Sequence, residues 1–377
     1  MSHTAAPPPR RHPARRALTW LRRAVGLLLV AVVVVGMGTT GGPSPRAIPD
    51  VAPEVPDAEP VPDPSVEAGL AELLARTEAL VAAASQPAAG RAAGSNPPAA
   101  RTDVVASSLG TVSTVLGRHV DLLTPPAPAI GDFGSEPGGP GTDTPAHLAA
   151  DLAESGNRLL SASVQEPSRR SRVLLGAGIE ELLAARALAR AHDGVVAEAP
   201  TSRGATVQQW RDAAGTSIAT GSCGGTVSQT FPEAPKTTPK TLPRMVAEPS
   251  AAPTPAASMA ADASYRLSYA YSLAAARSAG KASASAARAS AAREELGALL
   301  QGLLPPECPP QRHAAYTVPT DFDADPSRAL GAGEAQLAAA LLDLAAAAPA
   351  DLRPLVAAEA FAAAEAAAAR GVRPGLT

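Results

Sequence analysis

The chain has 377 residues, 46% of them hydrophobic but only 3% aromatic, with 39 prolines, 31 glycines and a formal net charge of −3. An apolar share carried by alanine and leucine builds closely spaced helices. The charge falls to −9 without the six arginines that precede the first apolar run, and so acidic a remainder argues against nucleic acid as a partner. Lysine occurs only at Lys236, Lys240 and Lys281, so nearly all the basic charge is arginine.

Residues 1–38 read as an export segment. Arg10, Arg11, Arg15, Arg16, Arg22 and Arg23 come before the apolar run Ala24 to Gly38 with no acid among them. The positive-inside bias keeps those arginines cytoplasmic and delivers the chain from Thr39 onward outside. Fifteen apolar residues rise only about 22 Å as a helix, short of a hydrocarbon core of about 30 Å. Both fates stay open: a single-pass anchor through residues 24–38 with an extracytoplasmic C-terminal part, or a cleaved signal and a secreted chain. Arg15-Arg16 is also compatible with a twin-arginine route. The first cysteine, Cys223, lies too far along to carry a lipid anchor next to the apolar run.

Residues 39–64 repeat proline among Ala, Val, Asp and Glu and read as an extended, solvated stalk. Periodicity then changes. Asp63-Pro64 supplies a cap and a proline at the first helical position, and Val66, Leu70, Leu73, Thr77 and Leu80 follow at helical spacing. A second helix is predicted from Asp103 to Leu123, with Val105, Leu109, Val112, Leu116 and Val120 on one face. A third starts at Thr144-Pro145, and a fourth runs from Ser168 to His192. Residues 65–193 therefore read as an N-terminal antiparallel bundle.

Residues 194–255 are rich in Thr, Pro, Gly, Ser and Ala and read as a linker, with one short helical piece around Val207 to Ala213 that includes Trp210. Residues 256–377 then hold four predicted helices: Ala256 to Ala279, Lys281 to Leu303, Pro326 to Ala347 and Leu352 to Arg370. Gly280, Pro305-Pro306, Asp325-Pro326 and Pro349 separate them. Cys223 in Gly-Ser-Cys-Gly-Gly and Cys308 in Pro-Pro-Glu-Cys-Pro-Pro are the only two cysteines, and in an exported chain they are disulfide candidates.

Tyr269-Ala270-Tyr271, the loop Ala315-Tyr316-Thr317-Val318-Pro319 and the following helix through Ala329-Leu330 to Glu334 resemble a ferritin-like family of unknown function found in exported and lipid-anchored proteins of GC-rich bacteria. The resemblance covers the last third of the chain. It implies an all-α architecture ending in an antiparallel four-helix bundle, and it implies no activity.

A ferritin-like bundle that holds two metals needs Glu-x-x-His motifs, and this chain has none. Glu334 falls in register with Leu330, Leu337, Leu341 and Leu344, so it points inward. Glu365 shares a face with Leu355, Ala358 and Ala362 at a similar height. These two are the only metal-ligand candidates, and Ala368 stands three residues after Glu365 where a histidine is needed. Where the family pattern has an acid and a His, this chain has Ser264 and Ala289. An arginine such as Arg288 or Arg293 is expected to pair with a buried Glu334.

His119 falls alone on an apolar face, and no other histidine sits in a ligand pattern. Tyr265 and Tyr269, four apart, share a helix face, while Tyr271 points elsewhere. There is no nucleophile elbow, phosphate-binding loop or dinucleotide fingerprint, hence no predicted catalytic residue and no cofactor. The sequence reading is a non-catalytic, exported or membrane-tethered helical scaffold that binds an envelope protein or polymer. The competing reading is a di-metal ferritin-like oxidase or metal-binding protein of the envelope.

Overall fold

Nine α-helices and no strand occur among the described residues of the computed structural model, which are 64–85, 99–123, 144–166, 168–202, 205–219, 221–223, 252–309 and 311–377. The export segment and nearly all of the stalk lie outside them. The helices are α1 (Pro64–Ser85), α2 (Ala99–Leu123), α3 (Pro145–Ser163), α4 (Ser168–Ala191), α5 (Val207–Ala214), α6 (Pro253–Arg277), α7 (Gly280–Gln301), α8 (Pro326–Ala347) and α9 (Arg353–Ala368).

Their starts follow from local chemistry. Thr144 caps α3, its hydroxyl accepting from the His147 N–H at 3.3 Å with Pro145 next in line. Asp325 caps α8 through the Arg328 N–H at 3.0 Å, ahead of Pro326. Thr206 and Gln209 form a reciprocal capping box on α5.

Helices α1, α2, α4 and α3 close a ring in which each packs on two neighbours. The α3–α4 crossing is the tightest joint. A Cβ added at Gly156 would lie 2.8 Å from the Gly178 carbonyl oxygen, and one at Gly178 would lie 2.8 Å from that of Gly156. Only hydrogen at both positions lets the two backbones approach this closely. In the C-terminal part α6 packs on both α7 and α8, and α8 on α9; α7 and α9 are not among the closely packed pairs.

The two groups of helices are not separate. Val61–Thr377 is one compact unit, and a continuous core runs from Leu70 of α1 to Leu376. Helix α4 lies against α8 and α9. Arg353 at the start of α9 makes the most specific tie: its Nη1 donates to the carbonyls of Ser163, Val164 and Glu166 at 2.9, 2.8 and 2.7 Å. These are orphan acceptors at the end of α3, and a guanidinium satisfies several at once.

The stretch 194–255 reads as a linker, yet its described part is built into this unit. Trp210 of α5 is 2% exposed and Ile218 fully buried, both within the continuous core. Thr254 of α6 donates its hydroxyl to the Ile218 carbonyl at 2.8 Å. Cys223 and Cys308 form a disulfide, with Cα atoms 5.3 Å apart, that ties this segment to the turn after α7.

Among the described residues one helix, α8, is long and apolar enough to cross a membrane, and most of it is buried against its neighbours. That is the environment of a core helix. Few as they are, the aromatics follow the same logic: Trp210, Tyr265, Tyr271, Tyr316, Phe322 and Phe361 are all buried. Full burial of such a side chain contributes roughly 1.5–3 kcal/mol.

Candidate functional site

The most unusual chemistry lies in the ring of α1 to α4. His119 completes the apolar face of α2 beside Leu116 and is 0% exposed. Opposite it, α4 presents Glu180 and Glu181, also buried. Consecutive residues on a helix diverge by about 100°, so two carboxylates in series clasp a ring placed between them. The His119 Nδ1 lies 3.0 Å from Glu181 Oε1, and Nε2 lies 2.9 Å from Glu180 Oε2.

A neutral imidazole has one N–H, and its other nitrogen would turn a lone pair on a carboxylate. The imidazolium donates to both. Burial works against the charged ring, but the hydrogen bonds and charges of Glu180 and Glu181 outweigh it and hold the His119 pKa above its ordinary value. For Glu180 burial pushes upward. The hydrogen bond and charge of His119, the charge of Arg118 and the Leu376 N–H prevail and bring its pKa below the usual carboxylate value.

Arg118 bonds Glu180 from the rim, the Leu376 N–H donates to Glu180 Oε1 at 2.8 Å, and the Thr377 hydroxyl reaches Oε2 at 3.3 Å. Two cations and two anions make a neutral quartet. This cluster was missed in the sequence, where His119 stands alone; the available signal was Glu180-Glu181 interrupting an otherwise apolar stretch of α4.

The second cluster holds a residue that the sequence singles out. Glu334 of α8 is 1% exposed. Tyr271 of α6 donates its hydroxyl to Oε1 at 2.7 Å, and Arg293 of α7 donates Nη2 to Oε2 at 2.7 Å and Nε to Oε1 at 3.3 Å. A forked arginine on a carboxylate is a strong, oriented pair. The Arg370 guanidinium lies 5.3 Å from the centroid of the Tyr271 ring. Burial, then the adjacent Glu334 charge, pushes the Tyr271 pKa far above that of a free phenol. The Ser264 hydroxyl donates to the Arg293 carbonyl at 2.7 Å.

Glu365, the other candidate, turns to a different helix. Its Oε1 receives Arg186 Nε at 2.9 Å and Arg190 Nη2 at 2.6 Å, both from α4. Glu334 and Glu365 thus share no partner.

The remaining tyrosines also serve packing. The Tyr269 ring contacts that of Tyr316 at 5.8 Å, while Tyr265 packs over Gly297, whose missing Cβ leaves room for the ring. Tyr316 anchors the Ala315 to Pro319 loop by donating to the Gln311 carbonyl and accepting from the His313 N–H, each at 3.2 Å. Beneath the loop, Asp262 pairs with Arg266 one turn on, and burial, only partly offset by that arginine, raises the Asp262 pKa.

The donor sets do not fit a metal. The ring nitrogens of His119 point in opposite directions, so Glu180 and Glu181 stand on opposite edges and the three cannot converge on one ion. No group of three His, Cys, Asp or Glu side chains among the described residues is arranged to hold one. One groove, about 400 Å³ and lined by Leu160, Val164, Leu175, Pro200 and Ala357, has Arg353 as its only ionisable side chain. The Ser161 and Ser163 hydroxyls at its edge donate to the Asn157 and Leu160 carbonyls, at 2.9 and 2.6 Å.

The chain matches no protein-family model, and neither a curated protein nor a solved structure matches it.

Proposed function

We propose that this protein is a non-catalytic, exported or membrane-tethered helical binding protein of the cell envelope, whose C-terminal helices are a ferritin-like bundle without a di-metal centre. The observation that carries the reading is what holds Glu334. An ionised carboxylate has about four lone-pair sites, and here Tyr271 and the fork of Arg293 supply three donors. A metal would have to displace the partly buried Arg293 guanidinium. Glu365 is held by Arg186 and Arg190, and Ser264, Ala289 and Ala368 bring no imidazole or acid to complete a shell.

Export is supported by the arginine-then-apolar pattern of residues 1–38 and by the Cys223–Cys308 bridge, a bond that persists outside the reducing cytosol. A binding role is supported by buried polar clusters that tie helices together rather than open to a cleft. The deciding measurement is metal content by plasma mass spectrometry on the chain from Thr39, expressed with iron, manganese and zinc supplied. Background metal in a folded, helical sample is expected. Near-stoichiometric metal that disappears in Glu334→Ala would sink the reading and install the di-metal oxidase or metal store in its place.

A further inference from the structure

The segment after α9 does not simply end on the helix that precedes it. Gly371 and Val372 close α9, their N–H groups bonded to the Ala368 and Ala367 carbonyls, and residues 373–377 then cross to the face of α2 and α4 as a strap. Arg373 donates to the Thr111 hydroxyl of α2 at 3.0 Å. Leu376 is 1% exposed, its N–H bonded to Glu180 Oε1 at 2.8 Å and its carbonyl accepting Arg172 Nη1 at 2.9 Å. Gly176 makes the approach possible, since a Cβ there would meet the Leu376 carbonyl oxygen at 2.6 Å.

This is how a peptide-binding groove is built. The groups that read the strap's backbone also have partners of their own: Glu180 is held by His119 and Arg118, and Arg172 by Asp343 of α8. Such preorganisation removes an ordering cost from binding. Pairing one backbone N–H and one carbonyl with side chains, and one leucine with an apolar seat, recognises a chain by its backbone and one anchor side chain. The strap has few anchors for its length: Pro374 and Leu376 are buried, while Arg373 and Gly375 are exposed.

We propose that the α2–α4 groove is a docking site for an extended peptide of a partner protein, one carrying a leucine followed by a hydroxyl residue, and that the chain's own 373–377 segment occupies it in cis as an autoinhibitory strap. The inference deepens the binding-protein reading by giving it a site, and it rests on that reading. Metal content tests the reading itself, so failure here is distinguishable from failure there.

The test uses the full chain and a fluorescein-labelled, C-terminally amidated peptide, Gly-Val-Arg-Pro-Gly-Leu-Thr. Leu376→Ser, which removes the strap's apolar anchor, is expected to bind the peptide at least tenfold more tightly than the unaltered chain by fluorescence anisotropy. Adding Gly176→Ala, which fills the space taken by the carbonyl, is expected to abolish the gain. Equal binding by the unaltered and Leu376→Ser chains, with unchanged circular dichroism, overturns the proposal.

Should Leu376→Ser fail to fold, hydrogen exchange on the unaltered chain decides. A Leu376 amide that exchanges at least a hundredfold faster than the core amides of α4, and is slowed by nothing but the strap, shows independent release. Equal protection means that the strap opens only with the fold, and it overturns the proposal equally.

Discussion

Replacing His119 with leucine removes the one hydrogen-bond donor that Glu181 has among the described residues, since it sits on Oε1 and the other oxygen is already buried without a partner. It also removes one of the cations on Glu180, leaving Arg118, the Leu376 N–H and the Thr377 hydroxyl. The size of the leucine matches the apolar seat beside Leu116, so the cost is electrostatic. Breaking a buried ion pair by deleting one partner typically costs about 3–5 kcal/mol. Because Glu180 keeps its other partners, most of that loss falls on Glu181. A loss of about 4 kcal/mol is a large part of the roughly 5–15 kcal/mol that keeps a domain folded. The assay is urea denaturation followed by far-ultraviolet circular dichroism at neutral pH, comparing His119→Leu with His119→Leu/Glu181→Leu. The double variant, with the stranded carboxylate gone, is expected to recover at least half of the loss. A single variant that loses less than about 1 kcal/mol, or a double variant that recovers nothing, would refute the buried-charge account.

Three further outcomes follow from the same geometry. His119, with its pKa raised, contributes stability that is fully present below its unfolded value near 6.5 and is lost as pH rises through the folded value. Glu180, with its pKa lowered, contributes above about 4.5 and loses that contribution as pH falls through its folded value. The groups facing this centre are Glu180 and Glu181 of α4, Arg118 of α2 and the Leu376 N–H, so melting temperature should decline on the alkaline side in the unaltered chain and decline less steeply in His119→Leu. Gly178→Ala forces α3 and α4 apart at a backbone contact with no flexible side chain to yield, and a loss of about 1–3 kcal/mol in the same urea assay is expected; an unchanged midpoint would contradict the close crossing. Cys223→Ser opens a bridge spanning a sequence separation of 85. In the chain-entropy model this costs about 4–5 kcal/mol, and reducing agent should destabilise the unaltered chain but leave the variant unmoved.

The sequence alone determined the helices and where they stop. Proline at the first helical position, Thr and Asp caps, and leucine at helical spacing are local signals, and the ends of α2, α4, α5, α6, α7, α8 and α9 lie within a few residues of the predicted ones. It also marked Glu334 as inward-facing with Arg288 or Arg293 as its partner, because a charge in register with four leucines must be buried and paired; the fold supplies Arg293. What only the tertiary structure decided is which surfaces meet. No period reveals that His119 of α2 lies between two carboxylates of α4, since the pair is 61 and 62 residues apart in the chain. Nor does any local signal say that Glu365 turns to Arg186 and Arg190 of α4, that Arg353 closes the end of α3, or that residues 373–377 lie across α2 and α4. Helix formation depends on neighbours within a few residues, whereas pairing of helices depends on the fit of whole faces. In a chain whose faces are mostly alanine and leucine, many pairings satisfy the pattern equally well. The buried charges, each needing one particular partner, and the facing glycines at positions 156 and 178 select among them.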